Sequence, residues 1–179
     1  MKELALNILD IAQNSIAAGA NQIAIAVRES VAADRLTISV KDNGCGMEPE
    51  FLAKVTDPFT TTRKTRKVGM GIPLLKMEAE MSGGELRIES EKGKGTSLTA
   101  CFKRSHIDRP PLGDVAGTFM VLIQGAPNLE FTYTRETDRG AFQFSTAQVR
   151  ALLDGVPLSE PDVLAWIRGY VEEGESGVL

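Results

Sequence analysis

Histidine occurs once in this 179-residue chain and cysteine twice. So few nitrogen and sulfur ligands argue against a metal-ligand cluster. Cys45 and Cys101 are too few for a disulfide framework, which points to a reducing, cytoplasmic setting. No apolar run approaches the ~20 residues needed to span a bilayer. Lys2 and Glu3 open an N-terminus without a signal-peptide pattern, so no membrane association is expected. Basic residues are not in excess: 20 Lys and Arg stand against 24 Asp and Glu, a net charge of −4. That balance excludes nucleic acid as an expected partner.

What is present is ordinary for a soluble globular chain: 42% hydrophobic and 25% charged residues. The length suits one good core and a small appendage, or one larger domain. Charge divides unevenly, net +2 over residues 1–104 and net −6 over 105–179. The Pro- and Gly-rich stretch HIDRPPLGDVAG marks a linker, placed at 105–117. The reading is an N-terminal domain over 1–104, the linker, and a small acidic α+β tail over 118–179 with no constellation of its own.

Residues 2–18 have the apolar spacing of a helix through Leu4, Ile8, Ile11 and Ile16, with Gly19 as its C-terminal cap. Asn7, Asp10 and Asn14 form one stripe on it. The stripe is either a solvated face or a set of oxygen groups suited to magnesium. Gln22–Glu29 and Arg35–Lys41 alternate as strands joined by a short hairpin. Glu48–Val55 suits a short helix, and Ile72–Met81 a longer one with Pro73 in its first turn. Strands at Glu85–Glu91 and Thr96–Lys103 flank the turn Lys92-Gly-Lys-Gly95. In the tail, Thr118–Gln124, Leu129–Arg135 and Phe142–Phe144 read as strands. Ser145 and Ser159 are N-cap candidates for helices at Thr146–Asp154 and Glu160–Glu172.

The most informative stretch is KDNGCGM, Lys41–Met47. A strand ends in Asp42, followed at once by Gly44 and Gly46. This gives a rigidly placed acceptor beside backbone that can come close to a flat or charged ligand, as an adenine site requires. Taken alone it is equally a turn signal. Farther on, TDPFTTTRKTRKV (56–68) is hydroxyl-rich and cationic, either a solvated charge run or a lid that orders on phosphate. VGMGI (68–72) leaves bare backbone donors at a helix N-terminus, a setting that favours anions. Cys45, between two glycines, is a small residue or a redox group.

With these motifs in order, residues 4–103 resemble the GHKL ATPase superfamily: gyrase B, MutL-type mismatch-repair ATPases, sensor histidine kinases and anti-sigma-factor kinases. The overall likeness is to a stand-alone histidine-kinase-like ATP-binding domain. LDIAQNSIAAGA resembles the N box, KDNGCGM the first glycine box, DPFTTTRK the phenylalanine box and lid, and VGMGI the second glycine box. SGGELRIESEKGKGTSL resembles the third glycine box with its strand. The resemblance implies an α+β, two-layer sandwich of the Bergerat type, its mixed and mostly antiparallel sheet covered by helices on one face, with a small α+β C-terminal appendage. It implies ATP and Mg2+ as cofactors.

By the same resemblance Asn14 ligates the magnesium that bridges the phosphates and Asp42 binds the adenine amine. Gly44, Gly46 and Met47 belong to the adenine side. Gly69, Met70, Gly71 and Ile72 give backbone donors to phosphate, Thr96 supports the adenine through water, and Thr62, Arg63 and Lys64 are lid contacts. Asp10 stands where hydrolysing members carry a glutamate base, one methylene shorter. The second glycine box is short, and the strand that usually precedes the N-box helix is missing, an edge the tail strands can cover. His106 in HIDRPP does not match a phosphoacceptor motif, which argues against self-phosphorylation.

The expected function is therefore an ATP-dependent kinase of signal transduction acting on a separate protein partner. The alternatives are a slow ATPase conformational switch, favoured by the MutL-like N box, and a non-catalytic nucleotide sensor, favoured by Asp10. An oligomer is compatible with all three.

Overall fold

The computed structural model describes residues 3–57 and 70–179. Its N-terminal part runs α1 (Leu4–Ala17), β1 (Gln22–Ser30), β2 (Arg35–Asp42), a one-turn α2 (Pro49–Leu52), α3 (Gly71–Met81), β3 (Glu85–Glu91) and β4 (Gly95–Lys103). After these come α4 (Val115–Gly125), β5 (Glu130–Thr137), β6 (Gly140–Ser145), α5 (Thr146–Leu153) and α6 (Pro161–Ser176). All six strands form one sheet in the order β3-β4-β2-β1-β5-β6. Among the described residues only the β1–β5 pairing is parallel.

The two-residue period of the strands decides which face is buried. Ile25 stands opposite Val40 and Val27 opposite Ile38. Val40 and Ile38 in turn meet Leu98 and Ala100. Phe131 and Tyr133 continue the row on β5, and all of these are buried. Each such side chain contributes about 1.5–3 kcal/mol by leaving water. The alternate residues, Thr37, Ser39 and Thr99 among them, face the other way and remain polar. Helices α3, α1, α4 and α6 cover the apolar face, packed side by side. The result is a two-layer α+β sandwich with one open sheet face.

Helix α1 is held at both ends. At its C-terminus Gly19 takes φ +76°, Ala20 N–H donates to Ser15 O at 3.1 Å and Gly19 N–H to Ile16 O at 3.0 Å. This is the paired cap that a left-handed glycine permits. At its N-terminus, Leu4 N–H donates to Pro111 O and Ala5 N–H to Leu112 O, at 2.9 and 2.8 Å. The Pro-rich linker thereby satisfies two donors that the helix itself leaves unpaired.

The tail differs from the sequence expectation at one element. Thr118–Gln124 is not a strand: it lies within α4. Its dense apolar run fits either structure by composition. Asp114 settles the matter by accepting from Gly117 N–H at 2.7 Å as an N-cap. Phe119, Leu122 and Ile123 then fall together on the buried face. Two smaller differences concern caps. Ser145 occupies an N-cap position without a side-chain cap bond, and Glu160 rather than Ser159 precedes α6, whose first position is Pro161. The tail strands enter the main sheet. β5 lies along β1 from Gln22↔Glu130 to Glu29↔Thr137, occupying the edge of β1 opposite β2.

Candidate functional site

Asp42 ends β2 at the rim of the open-ended core, half-buried, where three donors converge on its carboxylate. Oδ1 accepts from Gly44 N–H at 2.9 Å and from Thr96 N–H at 3.2 Å. Oδ2 accepts from Ser15 Oγ at 2.5 Å. These donors come from three elements: the turn after β2, strand β4 and helix α1. The carboxylate is therefore fixed in orientation as well as position. A carboxylate has about four lone-pair sites, and three are used here. One acceptor position remains for an incoming N–H donor, the chemistry of an exocyclic amine.

The glycine turn is built by close backbone approach. Cys45 N–H donates to Ala18 O at 2.9 Å, and Gly93 N–H donates to Cys45 O at 2.7 Å. The turn is clamped between the end of α1 and the β3–β4 turn. Gly46 has φ +67°, and a Cβ there would lie 2.0 Å from Glu91 O. A Cβ on Gly44 would lie 2.9 Å from Ala18 O. Both positions thus exclude side chains within the fold itself. Met47 N–H donates to Ser90 Oγ at 2.9 Å, and Ser90 Oγ lies 2.8 Å from Thr96 Oγ1. Lys92 donates to Glu48, and that bond raises the ammonium pKa.

On the other side stands the N-terminus of α3. Gly71 begins that helix, and a Cβ on it would fall 1.7 Å from Asp10 Oδ2. Glycine here brings the first turn of α3, with its unpaired N–H groups, directly onto the Asp10 carboxylate. Met70 is half-exposed just before it, and Ile72 packs partly against the core. Asn14 lies one turn beyond Asp10 on α1, half-buried and next to Ser15.

Of the residues singled out from sequence, Asp10 and Asn14 lie along α1, Asp42 at the end of β2, Gly44, Gly46 and Met47 in the turn after it, Thr96 at the start of β4, and Met70, Gly71 and Ile72 at the start of α3. Thr62, Arg63, Lys64 and Gly69 lie outside the described residues. Asn7, part of the same polar stripe, turns inward: it is 1% exposed and donates to Glu78 of α3. Sequence reasoning missed Ser15 and Ser90. Ser15 had one legible signal, a small hydroxyl on the apolar face of α1 four residues after Ile11.

Comparison with known proteins places the chain in a family. Residues 1–106 match the family model described as histidine kinase-, DNA gyrase B-, and HSP90-like ATPase. The chain belongs to that family. It carries a histidine-kinase-like ATP-binding domain. Among curated relatives it is 34% identical over 103 residues to a putative sensor protein of Shewanella frigidimarina, covering 56% of this chain and 16% of that one. It is 35% identical over 96 residues to sporulation kinase C of Bacillus subtilis (54% and 22%). To the sensor protein kinase FleS of Pseudomonas aeruginosa it is 38% identical over 92 residues (51% and 23%). The chain thus spans less than a quarter of the length of these relatives. Among solved structures, the N-terminal domain of a DNA repair protein superposes with TM-score 0.52 at 15% identity, covering 81% of this chain and 52% of that one. That likeness concerns the fold, and its coverage exceeds the share of the chain that residues 1–106 make up, so it takes in part of the tail.

Proposed function

We propose that this chain binds ATP with magnesium and passes the terminal phosphoryl group to a separate protein. The observation that carries the reading is the fixed Asp42 carboxylate, with three donors in place and one acceptor position remaining. The kinase names of its relatives support transfer as the use of the nucleotide.

The donor chemistry fits both groups. Asp42 would accept from the adenine amine, with Thr96 and Ser90 holding the same rim. Asn14 offers an amide oxygen, a ligand type that hard cations prefer. The metal, when bound, neutralises charge on the phosphate oxygens. The first turn of α3 presents backbone N–H groups and the positive end of its dipole to the anion. Catalysis of this kind rests on positioning and electrostatics. Asp10, seated against Gly71, stands where a carboxylate can orient the hydroxyl or imidazole that receives phosphate.

Two incubations with γ-labelled ATP and magnesium test the reading, one of the pure protein and one with cell extract added. Both free phosphate and label on protein are followed. The expected result is little free phosphate from the pure chain and Asp10-dependent label on an added protein. Steady free phosphate that disappears in Asp10→Asn, with no label on any protein, would replace the kinase by a hydrolytic switch. The closeness of Asp10 to α3 is the feature that favours this second reading.

A further inference from the structure

The two edges of the sheet differ in chemistry. β3 closes one edge with Glu85, Arg87, Glu89 and Glu91 exposed, the kind of charge that discourages strand addition. β6 closes the other with Gly140-Ala-Phe-Gln-Phe-Ser145, which has no charge and no proline. Among the described residues no strand pairs with its outer side. Beside this edge α6 carries exposed aromatics. Trp166 is 52% and Tyr170 43% exposed, and their rings stack at 5.3 Å and 11°. Tyr170 also meets Phe142 and Phe144 of β6, at 5.5 and 6.4 Å. On α6, Ile167 and Val171 fill the core, and Arg168 reaches Asp114 at the start of α4. Trp166 and Tyr170 therefore lie on the flank turned away from α4, where Gly169 has no neighbour within 4 Å of a Cβ position.

We propose that this edge is a dimer interface: β6 of one copy pairs antiparallel with β6 of a second across a two-fold axis. Trp166 and Tyr170 of each copy then close over the seam. An open strand edge demands an extended strand as its occupant. The strand itself meets the demand, because a two-fold pairing satisfies both free edges with one set of contacts. Centred on Gln143, the pairing sets Phe142 opposite Phe144 and Ala141 opposite Ser145. Facing residues share a side of the sheet, and aromatic cross-strand pairs form. No charged residue faces another along β6. The uncharged edge gives no carboxylate to a cationic peptide, and the acidic tail around it repels an anionic one. A neutral strand is the matching partner.

Sedimentation velocity of the whole chain, from about 1 to about 100 μM, tests this. The wild type is expected to dimerise in that range. Gln143 is exposed on the open face, so Gln143→Lys leaves the fold intact while setting like charges across the axis. Its dimer constant weakens at least tenfold with an unchanged circular dichroism spectrum. Mixing Gln143→Lys with Gln143→Glu restores a dimer, because opposite charges then face each other. Trp166→Ser weakens the wild-type dimer as well. A wild type that stays monomeric throughout, or a dimer indifferent to all three substitutions, overturns the proposal. Should Gln143→Lys fail to fold, hydrogen exchange in the wild type gives the same decision. Amides 140–145 slow as concentration rises if the edges pair, and concentration-independent exchange there contradicts it.

Discussion

Asp42 shows how a single side chain is made useful by what surrounds it. Its three donors leave it unable to turn away, so the ligand amine of the proposed function would find an acceptor already oriented. Asp42→Asn replaces the ionised acceptor with a neutral amide. A hydrogen bond to a charged group is worth about 1.5–3 kcal/mol. ATP affinity should therefore fall at least tenfold, read by calorimetric titration, with the fold retained. Ser15→Ala removes one of the three donors and should weaken ATP binding several-fold. Gly71→Ala is predicted to be severe for another reason, since its methyl collides with Asp10 Oδ2. In Gly71→Ala, turnover with the added protein should collapse, and the double variant Gly71→Ala with Asp10→Gly should recover thermal stability without recovering turnover. Asp42 and the glycines were legible because strand, acceptor and turn follow one another directly in the chain. Ser15 and Ser90 were not, because each acts on a residue brought in by another element, and spacing along one segment carries no trace of that.

The elements of the tail are locked to the first half by buried charge. Arg135 on β5 is 2% exposed, and its Nη2 lies 2.5 Å from Glu29 of β1. Arg104 reaches the same carboxylate at 2.7 Å. Burial alone pushes the Glu29 carboxyl up, but the hydrogen bonds and charges of the two guanidinium groups outweigh it and hold it below its ordinary value. Glu29 thus stabilises the fold above the ordinary carboxylate range, and that contribution is lost as pH falls through its lowered pKa. Arg135→Leu leaves Glu29 with Arg104 as its partner in a partly buried site and should cost about 1.5–3 kcal/mol, the worth of a hydrogen bond to a charged group, measured by chemical unfolding.

Glu175 on α6 has the opposite sign. Burial raises its pKa, and the bond from Tyr133 and the charge of Arg135 reverse this only in part. Its contribution is complete below the ordinary value and fades as pH rises through the raised one. Relative to the wild type, Glu175→Gln should therefore gain melting temperature as pH rises from the ordinary carboxylate value through the raised one. A gap independent of pH would contradict this. Helix α4 was the element that sequence misread. Apolar residues on most of its circumference hide the period, and the deciding group, Asp114, sits in a stretch whose prolines and glycines read as linker.

At the scale of the molecule, the tail and the first half share one sheet and one helical layer. β5 covers the edge of β1, α4 packs on α1, and Phe119 of α4 lies 4.9 Å from Tyr133 of β5. Truncation after residue 117 would open the β1 edge and uncover the apolar side of α1. The shortened chain should aggregate, checked by light scattering. A soluble, ATP-binding fragment would show the first half to be sufficient alone. Sheet order was partly legible, since the alternating tail strands were candidates to cover an edge of the first-half sheet. The parallel sense of its pairing with β5 was not, because it depends on the path of α4 across the sheet.

The central claim is that the rim formed by Asp42, Ser15, Thr96 and the α3 N-terminus is an ATP site. Calorimetric titration of the full chain with ATP and magnesium, in wild type and Asp42→Asn, tests it most directly. The account predicts saturable binding of one nucleotide per chain in the wild type, reduced at least tenfold in a variant that keeps its circular dichroism spectrum. Absence of binding to the wild type, or equal affinity in the two proteins, would contradict it.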